Sequence, residues 1–143
     1  MATTDLASIL ASWATVVEAS PLSLTPTVAA FTHDQQPGGM VANSYYFDDG
    51  GNVNRASMTN DKEVRVDRIT LWIAKPLNFA GATTLQVLHT LLDDIYRYLL
   101  VQARTDGYNV EADTRRITRP ATGEVLIASM SFTADYDFNA ATS

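Results

Sequence analysis

One stretch near the end of the chain constrains the fold more than any other. It reads VLIASMSFTADYDF and spans residues 125–138. Every second side chain from Leu126 to Phe138 is apolar or aromatic. The side chains between them are polar from Ser129 to Asp137. Because side chains alternate faces along a strand, this pattern predicts one half-buried β-strand. At roughly 3.3 Å per residue it would extend about 45 Å, whereas ordinary strands have about 5–6 residues.

The segment before this strand predicts its hairpin partner. VEADTRRIT is a modest strand pattern, and RPATGE is rich in turn-forming residues, so we predict a β-hairpin over about residues 110–138. Basic residues cluster weakly here, at Arg115, Arg116 and Arg119. Arginines of this kind can contact phosphates or a partner's carboxylates, and a solvated strand edge is the alternative interpretation.

The length of the predicted final strand suggests a contact between copies of the chain. A strand longer than one small core can cover would be completed by a second copy. We therefore hypothesise that the outer part of the hairpin, residues 116–125, contacts a neighbouring subunit. The predicted interface residues are Arg115, Arg116, Arg119 and Val125.

Two segments have the periodicity of amphipathic helices. TTDLASILASWATVVEAS predicts an N-terminal helix over about residues 4–19, with Thr3 or Thr4 as its N-cap and Asp5 near its positive end. TTLQVLHTLLDDIYRYLLVQARTDG predicts a long helix over about residues 84–105. Gly107 lies where a left-handed C-cap would fall.

The remaining patterns predict strands and loops between the two helices. EVRVDRITLWI is strongly β, and its second half is apolar on both faces, as in a covered central strand. MVANSYYF predicts a short strand ended by a turn at DDGGN. PLSLTPTVAAF carries two prolines and predicts an edge segment, with residues 28–31 as its best strand portion. The polar residues 52–61 predict a flexible loop.

This order of elements predicts an α+β fold. We expect a mostly antiparallel β-sheet, with the long helix packed on one face and an additional N-terminal helix. A length of 143 residues predicts a single domain over residues 1–143.

Composition excludes several classes of function. The chain has no cysteine, which rules out disulfide scaffolds and thiolate chemistry. Its formal net charge of −6 disfavours general binding to nucleic acid, because an acidic protein repels phosphate. The first residues lack the basic region of a signal peptide, and no apolar run approaches the roughly 18 residues of a membrane span.

Residues that could carry chemistry do not form a recognisable motif. The candidates are His33 and His89 and the carboxylate pairs Asp48–Asp49, Asp93–Asp94 and Asp135/Asp137. Turns, a helix surface and a solvated strand face account for the pairs. We therefore predict no catalytic residue, no cofactor and no metal site. One alternative stays open, a small α+β ligand-binding domain or enzyme using a turn at residues 45–49, His33, Asp135 and Asp137.

The layout of the chain resembles a known family along most of its length. A helix with SWATVV leads to the extended TPTVAAF, a glycine-rich turn and the strand SYYF. VRVDRITLWIAKP then precedes the helix containing LLDDIYRYLL, and the turn TGE and the strand FTADYDF complete the pattern. This order is similar to that of the tail terminator proteins of long-tailed bacteriophages and of the related neck and tail-completion proteins.

The resemblance implies a structural role in the virion. Such proteins form a ring, commonly a hexamer, that docks on the last ring of tail-tube protein and stops its polymerisation. The ring also presents a surface to the head-side connector or neck proteins, and DNA passes through its channel without specific binding. The family has no catalytic residues. It implies localisation in the virion tail or neck, and in the host cytoplasm during assembly. A head-side neck or connector protein of the same assembly is an alternative.

Overall fold

The structure, a computed structural model, describes residues 4–26, 42–52, 58–59, 62–77, 80–118 and 125–139. Within these ranges the chain has an α+β fold, as predicted. The helices are α1 (Leu6–Glu18) and α2 (Thr84–Asp106), and a 3-10 turn (Gly81–Thr83) precedes α2. The strands are β1 (Thr25–Pro26), β2 (Ser44–Asn52), β3 (Met58–Thr59), β4 (Lys62–Pro76), β5 (Asn109–Thr118) and β6 (Val125–Asn139).

The described strands form one sheet in the order β1-β2-β4-β6-β5, and β3 also pairs with β4. The short β1 runs parallel to β2, and every other pairing is antiparallel. Strands β4 and β6, each of 15 residues, pair from Lys62↔Asn139 to Pro76↔Val125. Each long strand therefore supplies backbone partners for the whole length of the other. The predicted hairpin consists of β5 and β6, which lie side by side at one edge of the sheet.

Both helices pack on one face of this sheet. The Trp13 ring of α1 lies 5.4 Å from the Phe132 ring of β6, and the Tyr96 ring of α2 lies 6.0 Å from it. The helix-facing row of β6 is buried, at 0–1% exposed. Its members are Ala128, Met130, Phe132, Ala134 and Tyr136.

This burial corrects one expectation. We expected the long helix to cover only part of β6 and a second copy to cover the rest. A single chain buries the row from Ala128 to Tyr136, because α1 lies on the sheet beside α2. The length of the strand is therefore no argument for a subunit contact.

Strand β2 is longer than predicted. The expected turn at DDGGN is wrong, because β2 continues to Asn52. Asp48 pairs with Thr70 and Asp49 with Ile69, followed by a register shift before Asn52. Strand β4 is long enough to pair with β2 beyond the apolar residues of β2. A β-bulge at residues 50 and 51 accounts for the register shift. The edge strand expected at residues 28–31 and most of the loop expected at residues 52–61 lie outside the described residues.

The ends of the helices show which residues cap them. Helix α1 is capped by Asp5, whose carboxylate accepts a hydrogen bond of 2.7 Å from the Ser8 amide, and not by Thr3 or Thr4 as predicted. Helix α2 ends as predicted, with Gly107 in the left-handed conformation at φ 82°. This φ favours glycine because it has no Cβ.

Candidate functional site

The face of the sheet that points away from the helices carries a polar row. Strand β6 contributes Ser129, Ser131, Thr133, Asp135 and Asp137, all partly exposed. The Ser131 and Thr70 hydroxyls of neighbouring strands lie 3.1 Å apart on this face. We call it the open face. Toward one end it becomes apolar, where Trp72 stacks against Tyr46 with centroids 6.2 Å apart and planes within 9°.

Strand β5 forms one edge of the sheet. It pairs with β6 on one side, and no described residue pairs with its other side. All side chains from Glu111 to Arg116 are exposed. An edge strand of this kind presents unpaired backbone N–H and C=O groups that another chain can pair with.

A β-bulge in this edge strand decides which way its charges point. Ala112 lies opposite Phe132 and Arg115 lies opposite Met130, so two β5 residues, 113 and 114, face the single residue Ser131. The extra residue reverses the alternation of side chains beyond it. As a result Arg115 shares the helix face with Met130.

The residues on either side of the bulge that point to the open face carry opposite charges. Glu111 lies opposite Thr133 and Arg116 lies opposite Ser129, and both partners belong to the polar row of β6. In a regular strand two residues five apart lie on opposite faces. The bulge therefore brings Glu111 and Arg116 to the same face.

Arg115 is bound within its own chain. Its Nη2 lies 2.5 Å from Asp93 Oδ1 on α2, and its Nη1 donates to His89 Nδ1 at 3.2 Å. The hydrogen bond and the charge of Arg115 lower the pKa of the Asp93 carboxyl. Arg115 thus ties β5 to the long helix.

The four predicted interface residues do not form one patch. Arg115 points to the helix face and Arg116 to the open face. Val125 packs in the apolar cluster of the open face with Ala74 and Ile127. Arg119 and the hairpin turn lie outside the described residues. A subunit contact at these positions remains a prediction.

A charged residue lies buried beneath the helices, and the sequence interpretation missed it. Asp67 on β4 is 5% exposed and accepts a hydrogen bond of 2.5 Å from the Tyr136 hydroxyl. Burial, followed by this contact, raises the pKa of Tyr136. The Arg65 guanidinium lies 3.7 Å from the centre of the Phe138 ring. Alternate residues of a strand share a face, so Asp67 and Arg65 lie on the same face as the apolar Ile69 and Ile73. This alternation could have predicted that both charged residues lie on the helix face.

Two further hydrogen bonds attach α1 and its C-terminal end to the rest of the core. Trp13 Nε1 donates to the Tyr108 hydroxyl at 2.6 Å, and both residues are buried. The Tyr45 hydroxyl donates to Glu18 Oε2 at 2.5 Å. These contacts are structural. The first holds α1 against the residue before β5, and the second holds it against β2.

Among the described residues of the alternative enzyme site, Tyr45 lies on one face of the sheet and the pair Asp135/Asp137 on the other. Residues 45–49 are strand and not turn, and Tyr45 faces the helices. Asp135 and Asp137 lie in the polar row on the opposite face, and His33 lies outside the described residues. No group of three or more histidines and carboxylates in the described part of the chain could hold a metal ion.

One cavity of about 470 Å³ lies between the C-terminal end of α2 and the start of β5. Its charged and polar lining consists of Arg104, Asn109, Glu111, Thr133 and Asp135. Sequence interpretation did not predict it, because the cavity forms only when the pairing of β5 with β6 brings Thr133 and Asp135 beside the residues that end α2 and begin β5. The cavity has an arginine and two carboxylates, a set able to hold a small polar molecule.

No family model matches the chain, and no curated protein matches it. Among the described residues, no helix is both long and apolar enough to span a membrane.

Proposed function

We propose that this chain is a structural virion protein, a ring-forming tail terminator of a long-tailed bacteriophage. It caps the tail tube, stops its polymerisation and forms the interface that joins head to tail. Its partners are further copies of itself, commonly six in a ring, the tail-tube protein, and head-side connector or neck proteins.

The order of elements is the observation that carries this proposal. The described residues run from an N-terminal helix through β2 and β4 to the long helix α2 and the closing hairpin β5–β6. The resemblance implies the same layout. Support therefore comes from architecture, and it is independent of any single residue.

The surfaces of the chain suit a protein that works by contact. Strand β5 has ten residues, and no described residue pairs with its outer edge, while the open face is polar along most of β6. A net charge of −6 suits a ring whose channel must let DNA slide without binding.

The cavity near α2 favours a second candidate, a small ligand-binding domain. Arg104, Glu111 and Asp135 would then contact a polar ligand. A stable monomer that binds such a ligand, and loses it when Arg104 is changed to Ala, would favour this function over a terminator.

Assembly after charge reversal tests the proposed ring. Changing Arg115, Arg116 and Arg119 together to Glu is expected to weaken the ring, and Arg115→Glu alone separates this effect from the loss of the Arg115–Asp93 contact within the subunit. Arg97→Glu is the control for one such charge reversal, at a side chain of α2 that is 69% exposed. Unchanged ring assembly after the triple change would contradict this choice of interface, and a wild-type protein that forms no ring at all would contradict the function.

A further inference from the structure

Two of the four charged residues of β5 form ion pairs with other described residues, and two do not. Asp113 forms an ion pair with Arg68 at 3.6 Å, and Arg115 forms one with Asp93. The other two charged residues of the strand, Glu111 and Arg116, form no ion pair with any described residue. Both are exposed on the open face, on the strand that forms the edge of the described sheet.

These two charges are placed symmetrically about the bulge. Glu111 lies two residues before Asp113, and Arg116 lies two residues after Thr114. Antiparallel strands run in opposite directions, so an acid-then-base order on one strand meets a base-then-acid order on an identical strand. The β5 edge is therefore complementary in charge to itself.

We propose that β5 is a docking edge for a second copy of this chain. The two β5 strands pair antiparallel about a two-fold axis, with Glu111 of each copy opposite Arg116 of the other. This register also sets Val110, which is buried, opposite the partly buried Ile117 on the helix face. The contact thus forms two identical ion pairs, because every interaction across an isologous interface occurs twice.

The bulge makes this register possible. Directly opposite residues in an antiparallel pair share a face of the sheet. Residues 111 and 116 of a regular strand lie on opposite faces, so a two-fold axis could not bring them together. With the extra residue at 113 and 114, both lie on the open face of both copies.

The two-fold contact does not rest on the proposed ring. A two-fold pair is closed by two copies, whereas a ring needs a head-to-tail contact between two different surfaces. The competing explanation is protection of the edge, since bulges and charges also prevent strands from pairing. Edge protection predicts a protein that stays monomeric.

Charge exchange between the two positions provides the test. Full-length wild type, Glu111→Arg, Arg116→Glu and the double exchange are compared by sedimentation equilibrium over a wide range of concentrations, with Arg97→Glu as the control. We expect the wild type to associate through β5, with a dissociation constant that rises roughly tenfold in each single variant, because two attractive cross-strand pairs become repulsive. The control should dissociate like the wild type.

Two further samples test the pairing of residue 111 with residue 116. The double exchange restores opposite charges at the two positions and should restore association. An equimolar mixture of the two single variants should also pair, because each then supplies the charge that the other lacks.

Three results would overturn the proposal. They are a wild type that is monomeric at every concentration, a dimer that neither single change weakens, and a double exchange that fails to restore association. The last result would indicate a head-to-tail contact through Arg116, as the ring hypothesis expects, so the two proposals fail separately.

Discussion

The hydrogen bond between Trp13 and Tyr108 joins helix α1 to the short connection between α2 and β5. Both side chains are buried, at 0% and 4% exposed, and the donor and acceptor lie 2.6 Å apart. A buried donor left without an acceptor costs more free energy than the bond itself contributes. Its removal should therefore be visible in the stability of the whole domain.

Tyr108→Phe removes only the acceptor oxygen. We expect the free energy of unfolding to fall by about 1–3 kcal/mol, because Trp13 Nε1 stays buried without a partner. Urea denaturation measures the change. Tyr98→Phe is the matched control, since Tyr98 is 43% exposed and its change should stay within about 0.5 kcal/mol. Equal stability of the two variants would contradict the assignment of this bond.

Four tyrosines make the domain sensitive to alkaline pH. Burial raises the pKa of Tyr46 and of Tyr108 to about 12, with the charge of Asp48 adding to the shift of Tyr46. Burial and the carboxylates of Glu18 and Asp67 raise the pKa of Tyr45 and Tyr136 as well. An unfolded tyrosine titrates near 10.

The sign of the pH effect follows from these directions. Between about pH 10 and 12 the unfolded chain releases tyrosine protons that the folded chain retains, so unfolding becomes more favourable as pH rises. We expect stability that is roughly constant from about pH 8 to 10 and falls above that range. Urea denaturation at intervals from pH 8 to 12 tests this, and Tyr108→Phe should show a shallower decline. Stability that stays constant up to pH 12 would contradict the burial of these hydroxyls.

The bulge of β5 sets the direction in which the side chains that follow it point. It turns Arg115 toward α2 and Arg116 toward the open face, and it keeps Ile117 against the core. Deleting one bulge residue would reverse all three positions.

Deletion of Thr114 tests this role. We expect the free energy of unfolding to fall by about 1–3 kcal/mol, because Ile117 leaves the core and Arg116 turns under α2. The deletion should also abolish the two-fold pair of β5 strands. Thr114→Ser keeps the length of the strand and should leave both properties unchanged. A deletion variant with wild-type stability would show that the strand slips without cost.

The longest elements were predictable from sequence, and their ends and partners were less so. The alternation in β6 and the apolar stripe of α2 each repeat often enough to identify the element. Strand β2 continues past Phe47, where its sequence pattern ends, because its polar second half pairs with β4, a contact between distant residues that no local pattern indicates. The bulge between Ala112 and Arg115 was invisible for the same reason.

At the scale of the molecule, the candidate surfaces were predictable only in part. The polar row of β6 and the importance of the hairpin followed from alternation and from the cluster of arginines. The burial of β6 by both helices could not be predicted, because no feature of the sequence indicates where α1 packs on the sheet. The opposite orientations of Arg115 and Arg116 depend on the bulge, and the pairing of Glu111 with a second copy was suggested only by the fold.

Electron microscopy of the purified protein, alone and mixed with a tail-tube protein of a long-tailed bacteriophage, tests the proposed ring and its proposed docking on the tube. We predict closed rings of several subunits with an open lumen, and tubes that stop growing where a ring sits on their end. Arg97→Glu should give the same images, and the triple change of Arg115, Arg116 and Arg119 to Glu should give fewer rings. Particles of only one or two chains under both conditions, with tubes that grow unchecked, would contradict it.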